Sequence, residues 1–247
     1  MKIEILGNGG AFSDISSSYL INDNIMIDCG ESVIKSLISN FNSPILDKIE
    51  HLFITHTHSD HINGLEQFLY YRLIKNMFNG IDNLKIYGTI EVLEYYKSLA
   101  FSIDPLKKGK YQQPFEFIVL PWKGTSSNII DDKLHITSIK AKHMNDTLEG
   151  VTLIIVDRYD LNKKFIITGD IDTVNETIYP NLIKENTYLF HDMGWTGLPN
   201  VENKYKFHPT EDEVFKYYGK NKNIYGIHTD SNLKYYKKAN IGLKIEV

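Results

Sequence analysis

The sequence predicts an α/β protein in which short buried strands alternate with amphipathic helices, and three observations carry that expectation. Short apolar runs bounded by Gly, Asn and Asp recur along the chain. Several of these runs lead into stretches whose apolar residues return at helical spacing. Finally, 42% of the 247 residues are hydrophobic, ample for a sizeable core, and no linker-like segment divides them. Residues 1–247 therefore read as one domain.

Lys2 to Leu6 alternates and reads as the first strand, and Gly7-Asn8-Gly9-Gly10 lets the backbone turn sharply after it. Ser18 to Ile21 and Ile25 to Ile27 form a hairpin about Asn22-Asp23-Asn24. Asp28-Cys29-Gly30-Glu31 ends that strand and opens a helix with Val33, Ile34, Leu37, Ile38 and Phe41 on one face. Cys29 reads as a small buried residue, since nothing near it would lower a thiol pKa. Ile49 to Ile54 is a buried strand. The helix beyond it buries Leu65, Phe68, Leu69 and Leu73 and turns Tyr70, Tyr71 and Arg72 elsewhere. Leu84 to Tyr87 is a strand, and Gly88-Thr89 leads into a helix around Val92, Leu93, Tyr96 and Leu99. Lys107-Lys108-Gly109-Lys110 reads as a solvated basic loop.

Phe115 to Leu120 and Leu134 to Lys140 read as strands of the second half. Val151 to Val156 and Lys164 to Ile167 pair through Asp157-Arg158-Tyr159-Asp160. Tyr188 to Phe190 is a further strand, and Asn223 to Ile227 is the last. In His208-Pro209-Thr210-Glu211-Asp212-Glu213, Thr210 and Glu213 are spaced as a capping box, so His208 reads as structural. His51 and His135 lie in or beside strands without companions.

The densest chemistry lies between the strand Ile49 to Ile54 and the helix that follows. His56, His58, Asp60 and His61 place three imidazoles and a carboxylate within six residues. A turn aims alternate side chains into one cleft. His56 and His58 can share one ion, while Asp60 and His61 are offset and face a second. Imidazole suits zinc, iron and manganese, and the carboxylate moves the preference away from copper(I). A polar helix start capped by Asp60 is the competing reading, but four ligand-type residues packed this closely rarely lack a metal. Further ligand-type residues stand at strand ends: His143, Asp170 after Gly169, His191 with Asp192, and His228. Asp170 could instead cap a helix over Thr173 to Lys184.

His-x-His-x-Asp-His after a hydrophobic strand resembles the signature of the metallo-β-lactamase superfamily of metallohydrolases. Leu6-Gly7-Asn8-Gly9, followed by Ile27-Asp28-Cys29-Gly30-Glu31, looks most like its ribonuclease Z branch. The resemblance implies a four-layer αβ/βα sandwich of two mixed sheets flanked by helices, with the opening pattern packed beneath the metal loop. It implies two divalent ions, zinc or else manganese. His56, His58 and His143 would hold one, Asp60, His61 and His228 the other, and Asp170 would bridge them. An aspartate at 170, rather than a cysteine, matches the dinuclear phosphodiesterases and glyoxalase II and points away from the antibiotic-hydrolysing lactamases. His191 would assist the leaving group, although Met193 and Gly194 depart from the family's pattern there.

Two cations a few ångströms apart would make a hydroxide nucleophile near neutral pH. Asp60 would orient it, and His191 would protonate the departing ribose oxygen. The formal charge of −4 gives no field that draws in a polyanion, and Arg72 and Arg158 are the only arginines. Long nucleic acid is therefore not the expected partner, and no basic extension large enough to grip tRNA is visible. The expectation is hydrolysis of 3′,5′-cyclic mononucleotides to linear monophosphates, as in the compact anti-Pycsar phosphodiesterases that phages use. The alternatives are tRNA 3′ processing of the ribonuclease Z kind, thioester hydrolysis of the glyoxalase II kind, and a flavodiiron-type redox module. The resemblance also implies a homodimer acting on a small nucleotide. A single cysteine, a charged N-terminus and no stretch approaching 18 apolar residues fit a soluble cytoplasmic protein with no membrane partner.

Overall fold

The computed structural model describes residues 1–11, 13–39, 42–79, 84–103, 115–130, 132–174, 178–194, 207–229 and 232–247. In chain order its elements are β1 (Lys2–Gly7), β2 (Ser18–Ile21), β3 (Ile25–Ile27), α1 (Val33–Leu37), β4 (His51–Phe53), α2 (Ser59–Ile62), α3 (Leu65–Asn79), β5 (Leu84–Gly88), α4 (Ile90–Ile103) and β6 (Phe115–Val119). The second half continues with β7 (Thr125–Ile130), β8 (Leu134–His143), β9 (Leu148–Asp157), β10 (Lys164–Ile167), β11 (Thr187–Asp192), α5 (Glu211–Tyr218), β12 (Ile224–Ile227), β13 (Lys237–Lys238) and β14 (Lys244–Glu246).

Strand alternation separates two faces and so creates the layers. Ile3, Ile5, Tyr19, Ile21 and Phe53 point one way and meet Leu153, Ile155, Phe165, Phe190 and Ile227 in the core between the sheets. Leu20, Met26, Leu52 and Ile86 point outward and are covered by Val33 and Ile34 of α1, Phe68 and Leu69 of α3 and Val92 of α4. On the far side, Ile166, Leu189 and Ile224 pack beneath Val214 and Tyr218 of α5. The result is the four-layer αβ/βα sandwich. Its sheets run β14-β1-β2-β3-β4-β5-β6 and β13-β12-β11-β10-β9-β8-β7. Both are mixed: β3 to β6 pair in parallel while β1 pairs antiparallel with β2 and β14. In the second sheet β10 to β13 are parallel and β8 to β10 antiparallel.

That topology decides where the chemistry collects. β8, β10, β11 and β12 all run the same way, because β9 reverses the chain between β8 and β10. Their carboxyl ends therefore lie on one edge, and His143, Asp170, Asp192 and His228 stand at or just past them. Residues just beyond strand ends of an α/β sheet are the usual place for ligand contacts.

Several sequence expectations need revision. The strand Phe115–Val119 belongs to the first sheet, parallel to β5, not to the second half. α4 supplies the crossover that a parallel pairing requires. β7 escapes the reading because Ser126, Ser127 and Asn128 break any apolar alternation, as an edge strand permits. Tyr71 and Arg72 are buried, not turned away: Tyr71 donates to Asp47 Oδ1 at 2.5 Å and Arg72 Nη1 to Leu46 O at 3.0 Å. α1 stops at Leu37, and Phe41 and the run Lys107-Lys108-Gly109-Lys110 lie outside the described residues. The described part of Thr173 to Lys184 holds only a 3₁₀ turn, Pro180–Leu182, so Asp170 caps no α-helix there. Among the described residues no helix is long and apolar enough to cross a membrane.

Candidate metal centre

The turn after β4 is held from below by the opening pattern of the chain. Ser17 N donates to Asp60 O at 3.1 Å and Cys29 N to His61 O at 2.7 Å. A Cβ at Gly30 would collide with Asp60 O, so only glycine lets the two segments touch. Cys29 itself is buried and, with its thiol pKa pushed up by burial and by Asp28, is no nucleophile.

Asp28, at φ 56, is the main brace of this turn. Its Oδ1 accepts from Thr55 N at 2.7 Å, and its Oδ2 lies 2.7 Å from His61 Nδ1. With Nδ1 committed to Asp28, His61 turns Nε2 inward, where Asp170 Oδ1 is 3.0 Å away. Two acceptors cannot face each other at that distance unless a proton or a cation lies between them. His228 Nε2 lies 2.7 Å from Asp60 Oδ2, while its Nδ1 is buried with no hydrogen-bond partner.

Around this centre the structure brings three overlapping sets of donors together, and the third joins Asp170 and His228 to Asp192 and His208. His56, His58, His143 and Asp170 form one, with one ligand atom from each lying within 4.8 Å of the others. Asp60, His61, Asp170 and His228 form the second on the same criterion. Asp170 belongs to all three. His143 Nε2 and His58 Nδ1 are 3.3 Å apart, and His56 Nε2 is buried with no hydrogen-bond partner. Thr55 Oγ1 is 3.0 Å from His56 Nδ1 and orients that outer ring nitrogen, whereas His143 Nδ1 makes no hydrogen bond and has Asp172 Oδ1 3.4 Å away. Asp172 is fixed in turn by the backbone N–H groups of Met144 and Asn145, both at 2.8 Å.

The electrostatics fit a cation. Burial, with His56 alongside, lowers the His58 pKa to about 4, and burial lowers that of His143 to about 3, so both imidazoles offer lone pairs at neutral pH. Burial opposes charge on Asp170 too, but His228, His61 and His56 outweigh it and hold the carboxyl well below its usual range. At Asp60 burial is likewise outweighed, by the bond to His228 and the charge of His61, and its pKa falls to about 2. Carboxylates buried among imidazoles call for positive charge at the centre, and a nitrogen-and-oxygen donor set of this kind suits a divalent metal.

The structure does not bring the His191 ring into this cluster. His191 is fully buried, its Nδ1 lies 2.7 Å from Asp192 O, and its ring meets Tyr218 edge-on at 5.7 Å. Its neighbour Asp192 points the other way, toward the centre. Asp192 Oδ2 is 2.8 Å from Nδ1 of His208, whose ring stacks on His228 at 4.6 Å. Burial disfavours charge on His208, but the Asp192 carboxylate raises its pKa to about 9, and 18% of the side chain remains exposed. His208 thus stands at the rim of the centre, not in a purely structural place before α5. The capping box hid it, and Asp192 at a strand end on this edge was the signal that could have found it.

Comparison with known proteins places this geometry in a family. The chain is 35% identical over 141 residues to a ribonuclease Z of Streptococcus equi subsp. equi, covering 48% of this chain and 45% of that protein. It is 42% identical over 76 residues to an anti-Pycsar protein Apyc1 of Bacillus phage BSP38, covering 28% and 29%. These matches span less than half the length of the relatives. The human tRNase Z short form (ELAC1) superposes with a TM-score of 0.72 over 100% of this chain and 99% of that one, at 19% identity, which shows the shared fold. The family model described as anti-Pycsar protein Apyc1 matches residues 1–242, and the chain therefore belongs to that family.

Proposed function

We propose that the protein is a metal-dependent phosphodiesterase that opens 3′,5′-cyclic mononucleotides to linear nucleoside monophosphates. The observation that carries this reading is the His208–Asp192 pair beside two donor sets that share Asp170. Paired divalent cations, zinc in this reading, supply Lewis acidity that lowers the pKa of water and offsets negative charge on a phosphoryl group. His56, His58 and His143 hold one of them, Asp60, His61 and His228 the other, and Asp170 serves both. Asp60 also stands where it can orient the attacking water.

The leaving group of a ribose phosphodiester is a poor one and needs a proton as the bond breaks. His208 supplies it from Nε2, because Nδ1 is committed to Asp192 at 2.8 Å. This moves the donor role from His191 to His208, for a physical reason: an imidazole 0% exposed and packed on Tyr218 has no path to substrate. A thioester leaves without such a donor, so the pair favours phosphodiester over thioester hydrolysis.

Precursor tRNA is the second reading, and the arginines weigh against it. Arg72 is buried against Leu46 O, and Arg158 Nη1 donates to Asp132 O at 3.1 Å. In this reading the protein works in the cytosol as a homodimer, which light scattering of the purified protein tests. Activity is tested by incubating zinc- or manganese-loaded protein with the four cyclic mononucleotides and a precursor tRNA. Linear monophosphates, lost in Asp60→Ala, are expected. Cleavage of the transcript with no turnover of any cyclic nucleotide would overturn the proposal in favour of tRNA processing.

A further inference from the structure

Beside the metal centre lies a cavity of about 550 Å³ that none of the chemistry above uses. Its walls include Asn8, Asp14 and Ile15 from the turn between β1 and β2, Lys238 at the end of β13, and Asn240 and Ile241 from the turn between β13 and β14. The volume lies within the roughly 300–1,000 Å³ of small-molecule sites.

Asn8 belongs to the cavity and to the metal centre at once. Its Oδ1 accepts from the backbone N–H of His228 at 3.0 Å, which helps to hold that residue at φ 57. Its Nδ2 is buried and has no hydrogen-bond partner, an arrangement that costs free energy unless something pairs with it. Two residues on, a Cβ at Gly10 would stand 3.0 Å from His228 Nε2, so the turn that supplies Asn8 and Gly9 to the cavity passes beside a donor of the centre. The opposite turn is tied to β1 and to itself: Gly242 N donates to Ile5 O at 2.8 Å and Leu243 N to Asn240 O at 3.0 Å. Yet it presents Ile241 at 54% exposure. An exposed large aliphatic side chain lining the cavity, with Ile15 as a second apolar surface, offers what the faces of a planar ring need. Asp14 and Asn240 offer acceptors and a donor for its edge.

We propose that this cavity is the nucleoside subsite, taking base and ribose while the phosphodiester lies at the metal centre. The proposal rests on the phosphodiesterase reading and adds the residues that select the nucleoside. Ile241, Asn240 and Asp14 are then specificity residues, and Asn8 joins substrate recognition to the placement of His228.

The test compares metal-loaded wild type with Ile241→Ala, Asn240→Ala and Asp14→Asn, all at surface positions. Two kinds of substrate are used: the cyclic mononucleotides, and bis(p-nitrophenyl) phosphate, which has a phosphodiester but no nucleoside. The ratio of kcat/KM for the cyclic nucleotide to that for the nitrophenyl diester should fall about tenfold in Ile241→Ala and Asn240→Ala, chiefly through KM. Asp14→Asn should reorder the four bases. Binding of the Rp-phosphorothioate analogues, which resist hydrolysis, should weaken in parallel by calorimetry. Unchanged ratios and unchanged binding in a wild type that does hydrolyse cyclic nucleotides would overturn the subsite alone. A wild type that cleaves only the nitrophenyl diester would overturn the cyclic-nucleotide reading and the subsite with it.

Discussion

His208 and His191 are the same residue type in two environments, and the difference assigns their roles. One imidazole is exposed at its outer edge and charged by a carboxylate, the other is sealed against a tyrosine with its pKa lowered by burial. His208→Ala should lower kcat for a cyclic nucleotide by roughly a hundred- to ten-thousand-fold. The loss should be much smaller for bis(p-nitrophenyl) phosphate, whose phenolate departs without a proton. Equal losses on both substrates would remove His208 from the donor role. The Asp192 carboxylate has its own signature. His208 must be protonated to donate, so activity falls as pH rises through its raised pKa. In Asp192→Asn that pKa drops toward the ordinary imidazole value, and the alkaline limb of the kcat profile should move to lower pH. At this scale the cluster from His56 to His61 was legible because spacing alone puts four ligand types in one turn. His208 was not, because its partner Asp192 lies sixteen positions away and only folding joins them.

At the scale of elements, the site is a set of strand ends, and each is held by local chemistry. The α5 terminus shows how: Thr210 Oγ1 accepts from Glu213 N, and Glu213 Oε2 accepts from Thr210 N at 2.7 Å, the capping box its sequence predicts. Thr210→Ala should cost about 1 kcal/mol of stability in urea unfolding. Because His208 stands two residues before the cap, the same variant should lower kcat more than it lowers metal content. Gly194 matters in another way, since a Cβ there would lie 2.5 Å from His228 Nδ1. Strands with apolar alternation were legible in the sequence, β1 to β3 nearly to the residue. β7 was not, since its Ser126 pairs with Ser138 across the ladder instead of reaching a core. The sheet of Phe115–Val119 was hidden as well, because pairing partners are a property of topology that no local pattern carries.

For the whole molecule, the fourteen strands of the described residues bury a core between two sheets, and that packing brings His and Asp side chains from both sheets to a common rim. No single element could do so. Residues 56 to 61 come from the first sheet, and residues 143, 170, 208 and 228 from the second half. The central claim is that these groups hold two divalent ions per chain, with Asp170 serving both. Elemental analysis of purified, desalted protein tests it most directly, beside Asp170→Ala prepared in the same way. The account predicts two equivalents of zinc or manganese per wild-type chain and a clear loss of stoichiometry in the variant. A wild type that folds, keeps no divalent metal after desalting and binds none on titration would contradict it.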